Sequence, residues 1–206
     1  MTRGHPPDID QHDPGSSVLV VSPSMDASET VATVDAIQRA GIDADADSDA
    51  DADRHPIVVV SRAHTAEAIL EGWRNTVGTF PTDFGIVSIG EVTRSVATGT
   101  AAMTLPQANI FTVGSEDVTG IGIAIGEALA HYREDTTPVL WFESLTPLLE
   151  EKGLEMTFRF LHVTLEEIRQ ANATAYVHID SSVHDDQTIT TLTHLFDDVL
   201  EFGRND

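Results

Sequence analysis

PVLWFESLTPLLEEKGLEMTFRFLHVTLEEIRQANATAYVHID, residues 138–180, is the stretch whose reading decides the fold. Residues 138–142 form a short apolar run, with the length and content of a strand buried on both faces. Over 155–171, Phe158, Leu161, Leu165 and Ile168 recur at helical spacing and make one apolar stripe. Residues 174–179 are again apolar and partly β-branched. Strand, amphipathic helix and strand in succession point to a mostly parallel sheet covered on both faces.

The same alternation extends outward. SVLVV at 17–21 reads as a buried strand, followed by the polar turn Ser22-Pro23-Ser24-Met25-Asp26. Asp26 or Ser24 is placed to cap a helix that runs to about residue 39, with Val31, Val34 and Ile37 inward and Gly41 ending it. Strands are expected at 57–60, 85–89, 109–113 and 199–202, and helices at 65–73, 117–132 and 187–196. Apolar strands alternating with amphipathic helices predict an α/β three-layer sandwich around a mostly parallel sheet. Residues 1–16 read as a flexible tail and 17–203 as one domain. Within it, DADADSDADAD at 43–53 places six aspartates in eleven residues. Like charges at that density disfavour a strand, so 43–54 is expected to be a disordered acidic loop. A calcium-loop reading fails for want of the turn glycine and the closing glutamate.

Charge narrows the function classes. Thirty-four acidic residues stand against eleven basic ones, a net charge of −23, and Lys152 is the one lysine. Such a chain repels phosphate backbones and anionic lipid, so neither nucleic acid nor a membrane surface is an expected partner. The absence of cysteine removes disulfides, thiolate metal sites and thiol nucleophiles. No run of eighteen apolar residues occurs and 1–14 is polar, from which a cytoplasmic location is expected. Twenty aspartates with one lysine fit a cytosol held at high salt, where carboxylate repulsion is screened.

In parallel sheets ligands sit beyond the carboxyl ends of the strands, which directs attention to 22–28, 61–64, 88–94, 114–117, 143–146 and 180–185. Most chemistries fail there. Gly120-Ile-Gly122-Ile-Ala-Ile-Gly126 is one residue too long for a dinucleotide loop, and Gly122 and Gly126 are better read as close helix packing. His178, Asp180, His184 and Asp185 supply metal-ligand types, but caps and turns are the expected roles; no metal is expected. Glu143-Ser144 lies in no nucleophile elbow. A phosphorelay receiver is excluded by the glycine ending the 85–89 strand and by the position of Lys152.

The element order, PVLWFESLTPLLE, FRFLHVTLEEIRQ and ATAYVHID resemble the RecA/KaiC-like ATPase core. SPSMDASE, EVTRS, TGIGIAIGEAL, FESLTPLL, FRFLHV and HDDQTITTLTHLFD resemble more closely a haloarchaeal family of KaiC-like relatives, some labelled transducer-like. That resemblance implies a RecA/KaiC-like fold, with a phosphate-loop position at Ser22, Ser24, Asp26, Ser28, Glu29 and Thr30. It places the Walker B acid at Glu143, followed by Ser144. The pattern is altered at three points. SPSMDASE lacks glycine and lysine, with Glu29-Thr30 standing where Lys-Thr is expected. Glu143 replaces aspartate, and Ser61-Arg62-Ala63 replaces the catalytic glutamate. Ser61, Arg62, Arg94 and Asp180 remain as a candidate pocket rim, with Arg62 or Arg94 as substitute phosphate clamps or, failing that, as ion pairs. Glu143 is expected as a strand-end carboxylate on an acidic rim, served by Ser24, Ser28 or Ser144. The expected function is non-catalytic, regulatory or signalling, exercised through a protein partner or self-association, with no ATP or magnesium cofactor. The alternative is a nucleotide sensor or weak ATPase with an altered phosphate loop.

Overall fold

The computed structural model describes residues 12–40, 55–78, 80–81, 83–90, 101–104, 108–114, 117–132 and 136–201. Most of the expected tail, the 43–54 loop and Arg94 lie outside the described residues. Eight strands form one sheet in the order β4-β5-β3-β2-β6-β7-β1-β8. They are β1 (Ser17–Ser22), β2 (Ile57–Ser61), β3 (Phe84–Gly90), β4 (Ala101–Thr104), β5 (Asn109–Gly114), β6 (Val139–Phe142), β7 (Thr174–Asp180) and β8 (Asp198–Glu201). Every pairing is parallel except β4 with β5. The expected α/β sandwich is observed, and β4, absent from the sequence reading, is an added antiparallel edge.

Five helices cover the sheet: α1 (Ala27–Ala40), α2 (Ala66–Thr76), α3 (Val118–Ala130), α4 (Thr146–Gln170) and α5 (Asp186–Thr193). Strand side chains alternate between two cores. Val18, Val20, Ile57, Val59, Trp141 and Tyr176 pack with Val31, Val34, Ile69 and Trp73 of α1 and α2. Leu19, Val21, Val58, Val60, Phe142 and Val177 pack with α3, α4 and α5 through Ile121, Ile125, Leu161, Leu165 and Leu192. A period of two along strands buried on both faces explains why their sequences read as continuous apolar runs.

Two local departures from expectation have clear causes. The helix read from residue 155 begins earlier, at Thr146, with Pro147 in its first turn, and breaks at Gly153, whose φ of 76° is open to glycine. Residues 12–16, read as the end of the tail, are packed. His12 Nδ1 lies 3.1 Å from the Tyr176 hydroxyl, and the Asp13 carbonyl accepts from Ser16 N–H at 3.1 Å.

The strand order also fixes where a site belongs. From β2 the chain leaves to α2 on one face, whereas from the adjacent β6 it leaves to α4 on the other. The adjacent pair β1 and β7 diverges in the same way, to α1 and α5. Strands whose exits part to opposite faces open a crevice at their carboxyl ends.

Candidate functional site

At that end of the sheet the apolar pattern on the α1–α2 face gives way to polar residues on four neighbouring strands. Val20 and Val59 are followed on their own face by Ser22 and Ser61, Trp141 by Glu143, and Tyr176 by His178 and Asp180. The pairing of Val60 with Phe142, and of Phe142 with Val177, sets Ser61, Glu143 and His178 in one row across the sheet. All are buried.

Glu143 is the centre of the row. Its Oε2 accepts from the Ser61 hydroxyl, and its Oε1 accepts from Thr30 Oγ1 of α1 at 3.3 Å and faces His64 Nδ1. Its own N–H donates to the Val60 carbonyl at 2.9 Å. The His64 N–H donates to Ser61 Oγ at 2.9 Å, so the turn after β2 folds back onto the same carboxyl group. This corrects the expected picture of Glu143: it is 3% exposed, not a rim residue, and its partners are Thr30, Ser61 and His64 in place of Ser24, Ser28 and Ser144. A buried carboxyl group needs such partners, because leaving one unmatched costs several kcal/mol, roughly.

His178 continues the network on the other side. Its Nδ1 lies 2.8 Å from the Glu143 carbonyl, an acceptor only, so Nδ1 carries the proton. Nε2 lies 3.1 Å from the Ser22 hydroxyl, which donates to the Pro23 carbonyl, and 3.3 Å from the Ser22 carbonyl. The Trp141 ring stacks on the imidazole at 6.3 Å with an interplanar angle of 14°. Asp180 turns away from these groups, accepting from Ser182 N–H at 2.8 Å and from the Ser182 hydroxyl at 2.6 Å. His184 meets Thr146 Oγ1 at 3.1 Å, and Asp185 caps α5 by accepting from Thr188 N–H at 2.7 Å. That bond, with the rest of the helix start, holds Asp185 below the usual carboxylate range. The four metal-ligand types thus go to separate tasks. Among the described residues, no group of three histidine or acidic side chains is placed to hold an ion.

The turn after β1 is occupied by its own side chains. Asp26 Oδ1 accepts from Ser28 N–H at 2.8 Å and Glu29 N–H at 2.9 Å, and Glu29 Oε2 accepts from Asp26 N–H at 3.0 Å. This is a reciprocal capping box with aspartate at the cap. The first free N–H groups of α1, the natural anion-binding groups of a helix start, face two carboxylates of the chain itself. Ser24 and Ser28 are exposed, and Ser144 accepts from Thr146 N–H at 3.2 Å at the start of α4. Arg62, a proposed clamp or ion pair, is ion-paired with Glu151 of α4.

The glycines of α3 also take structural positions, though not the expected ones. A Cβ at Gly120 would lie 2.5 Å from Asp117 Oδ2, the cap of this helix, and 3.0 Å from Val113 of β5. Gly122 faces Thr164 and Phe160 of α4 at 3.7 and 4.0 Å, and Gly126 has open space. The close approach to the sheet is at Gly120; Gly122 serves the approach of α3 to α4.

A family of unknown function (DUF7504) matches residues 15–202. The chain belongs to that family. No curated protein matches it. The matched span contains every member of the strand-end network, from Ser22 through Glu143 to His178 and Asp180, so the network lies within the family's own fold. Sequence reasoning placed Ser61, Glu143 and Asp180 at strand ends but missed His64 as a partner. The one signal for His64 was its position in the 61–64 turn.

Proposed function

We propose that the chain is a non-catalytic, RecA/KaiC-like regulatory domain that acts through protein contacts in a high-salt cytosol. The observation that carries this reading is the capping box. A phosphate loop wraps anions with glycine N–H groups and a lysine. Here the corresponding N–H groups are satisfied by Asp26, and Glu29 adds a second negative charge at the same place. Arg62, the candidate replacement cation among the described residues, is tied to Glu151.

The contact between Thr30 and Glu143 supports the ancestry in this reading. In P-loop ATPases a threonine after the lysine and the acid ending the Walker B strand share a magnesium ion. The resemblance assigns those two positions to Thr30 and Glu143, and Thr30 Oγ1 donates directly to Glu143 at 3.3 Å. The same contact favours the second reading, a nucleotide sensor with an altered loop. Titration of the whole chain with ATP and magnesium in high-salt buffer separates the two. A ligand at 100 times its Kd stabilises by about 2.7 kcal/mol, on the order of 5–10 °C for a chain of this size. The non-catalytic reading expects no shift in Tm and no phosphate release. Saturable stabilisation by ATP would replace it with the sensor.

A further inference from the structure

Three of the four large apolar side chains that stand exposed among the described residues gather at one place. Ile123 of α3 is 53% exposed, and Met156 and Val163 of α4 are 46% and 57% exposed. They border a groove between α3 and α4 with a volume of ≈ 270 Å³, floored by Val118, Gly122 and Phe160. Along α4, Met156, Phe160 and Val163 follow one another at helical spacing, so the apolar stripe runs lengthwise down the groove. Gly122, which lines the groove, raises no side chain above it.

The charge on and beside this groove is net acidic: Arg159 and Glu167 line it, Arg159 is paired with Glu155, and Glu127 stands beside it. Exposed Glu127 lies one turn beyond Ile123, and exposed Glu167 one turn beyond Val163. Neither is ion-paired among the described residues, whereas Arg159, which lines the groove, and Arg169 each have an acidic partner on α4. Arg159 pairs with Glu155 at 2.5 Å and Arg169 with Glu166 at 3.0 Å. A second copy of this chain would bring the same net acidic charge and its own −23 to the contact. Like charges brought together in an interface disfavour that partner.

We propose that the α3–α4 groove is the docking site for an amphipathic helix of a partner protein, with an apolar stripe flanked by basic residues. An apolar helix face laid between two helices meets anchors at the spacing Met156, Phe160 and Val163 present. Basic flanks meet Glu127 and Glu167. The proposal rests on the reading of the chain as a contact domain and names its partner's chemistry.

The test uses the full chain and two synthetic helical peptides with leucine at i, i+4 and i+7, one flanked by lysine and one by glutamate. The lysine peptide is expected to bind saturably at one per chain, and the glutamate peptide to bind at least about tenfold more weakly. Ile123→Asp and Val163→Asp are each expected to weaken the lysine peptide about tenfold or more. Val183→Asp, at the exposed apolar residue that does not line the groove, serves as control and is expected to leave binding unchanged. Thermal melts of each variant establish that it is folded. Exchanging both Glu127 and Glu167 for lysine is expected to reverse the peptide preference. Equal binding of the lysine peptide by wild type and the groove variants overturns the proposal, as does equal binding of both peptides. An Ile123-dependent dimer without peptide assigns the groove to a second copy and also overturns it. Failure here leaves the ATP titration unaffected, and ATP binding leaves the peptide result unaffected, so the two readings fail separately.

Discussion

Glu143 shows how burial reverses an expectation drawn from charge alone. On an acidic rim its replacement by glutamine would relieve repulsion and be neutral or stabilising by up to ~1 kcal/mol. In the folded chain the carboxyl group takes two hydroxyls and faces an imidazole. Glutamine keeps the shape but turns an amide NH₂ toward one of these donors. Glu143→Gln is therefore expected to destabilise by about 1–3 kcal/mol, the range for a buried hydrogen-bonding group left without its partner. Denaturant titration in molar potassium chloride checks it, and an unchanged midpoint would contradict the network. Asp197 gives the corresponding pH prediction. Partial desolvation acts upward on its carboxyl group but is outweighed by the Ser17 N–H and hydroxyl and by Arg169, which hold it below the usual range. A carboxyl group lowered on folding stabilises above its unfolded pKa, near ~4, and that contribution fades as pH falls through the folded value. The side chain is about half exposed, so screening limits the effect. Asp197→Asn is expected to cost up to ~1 kcal/mol at neutral pH, and wild type and variant melts should converge in acid, below the usual aspartate range.

At the scale of elements, the helix starts are the sensitive points. Asp26→Ala removes the acceptor for two α1 N–H groups and is expected to cost ~1 kcal/mol, within the range for lost N-caps. Gly120→Ala sets a methyl group against Asp117 and Val113 and disturbs the α3 cap and its seat on β5 together. A loss of ~1–3 kcal/mol, as for overpacking, is expected in thermal or denaturant melts. Elements with one unmistakable period were legible in the sequence: β1, β2, β7, α1 and the second part of α4 all stand close to where they were read. The first turns of α4 were not, because Pro147 and Gly153 both resemble turn residues. In fact Pro147 starts the helix and Gly153 breaks it. The four-residue β4 was missed because its place as a strand depends on pairing with β5, which is not a local property. The site divides in the same way. Strand-end residues such as Ser61 and Glu143 announce themselves by ending apolar runs. Thr30 lies 113 residues from Glu143 along the chain, and His64 lies 79; they join it only because α1 and the turn after β2 fold over the same face. No spacing rule links residues so far apart.

For the whole molecule, the excess of carboxylates predicts a strong response to salt. From ~0.05 M to molar potassium chloride the Debye length falls from above ~10 Å to ~3 Å. If screening restores a few kcal/mol, Tm should rise by about 10 °C for a chain of this length. A Tm that does not move would remove the argument for a high-salt cytosol. The three-layer arrangement also determines what can be seen of such a transition. Trp73 and Trp141 are the chain's two tryptophans, and both are fully buried in the core shared with α1 and α2. Indole emission therefore views the sheet from one side, while circular dichroism averages the helices on both. If the two layers melt as one unit, the optical signals will superimpose. If emission leads or lags, the separation between the curves will measure how independently the two faces of a single sheet can come apart.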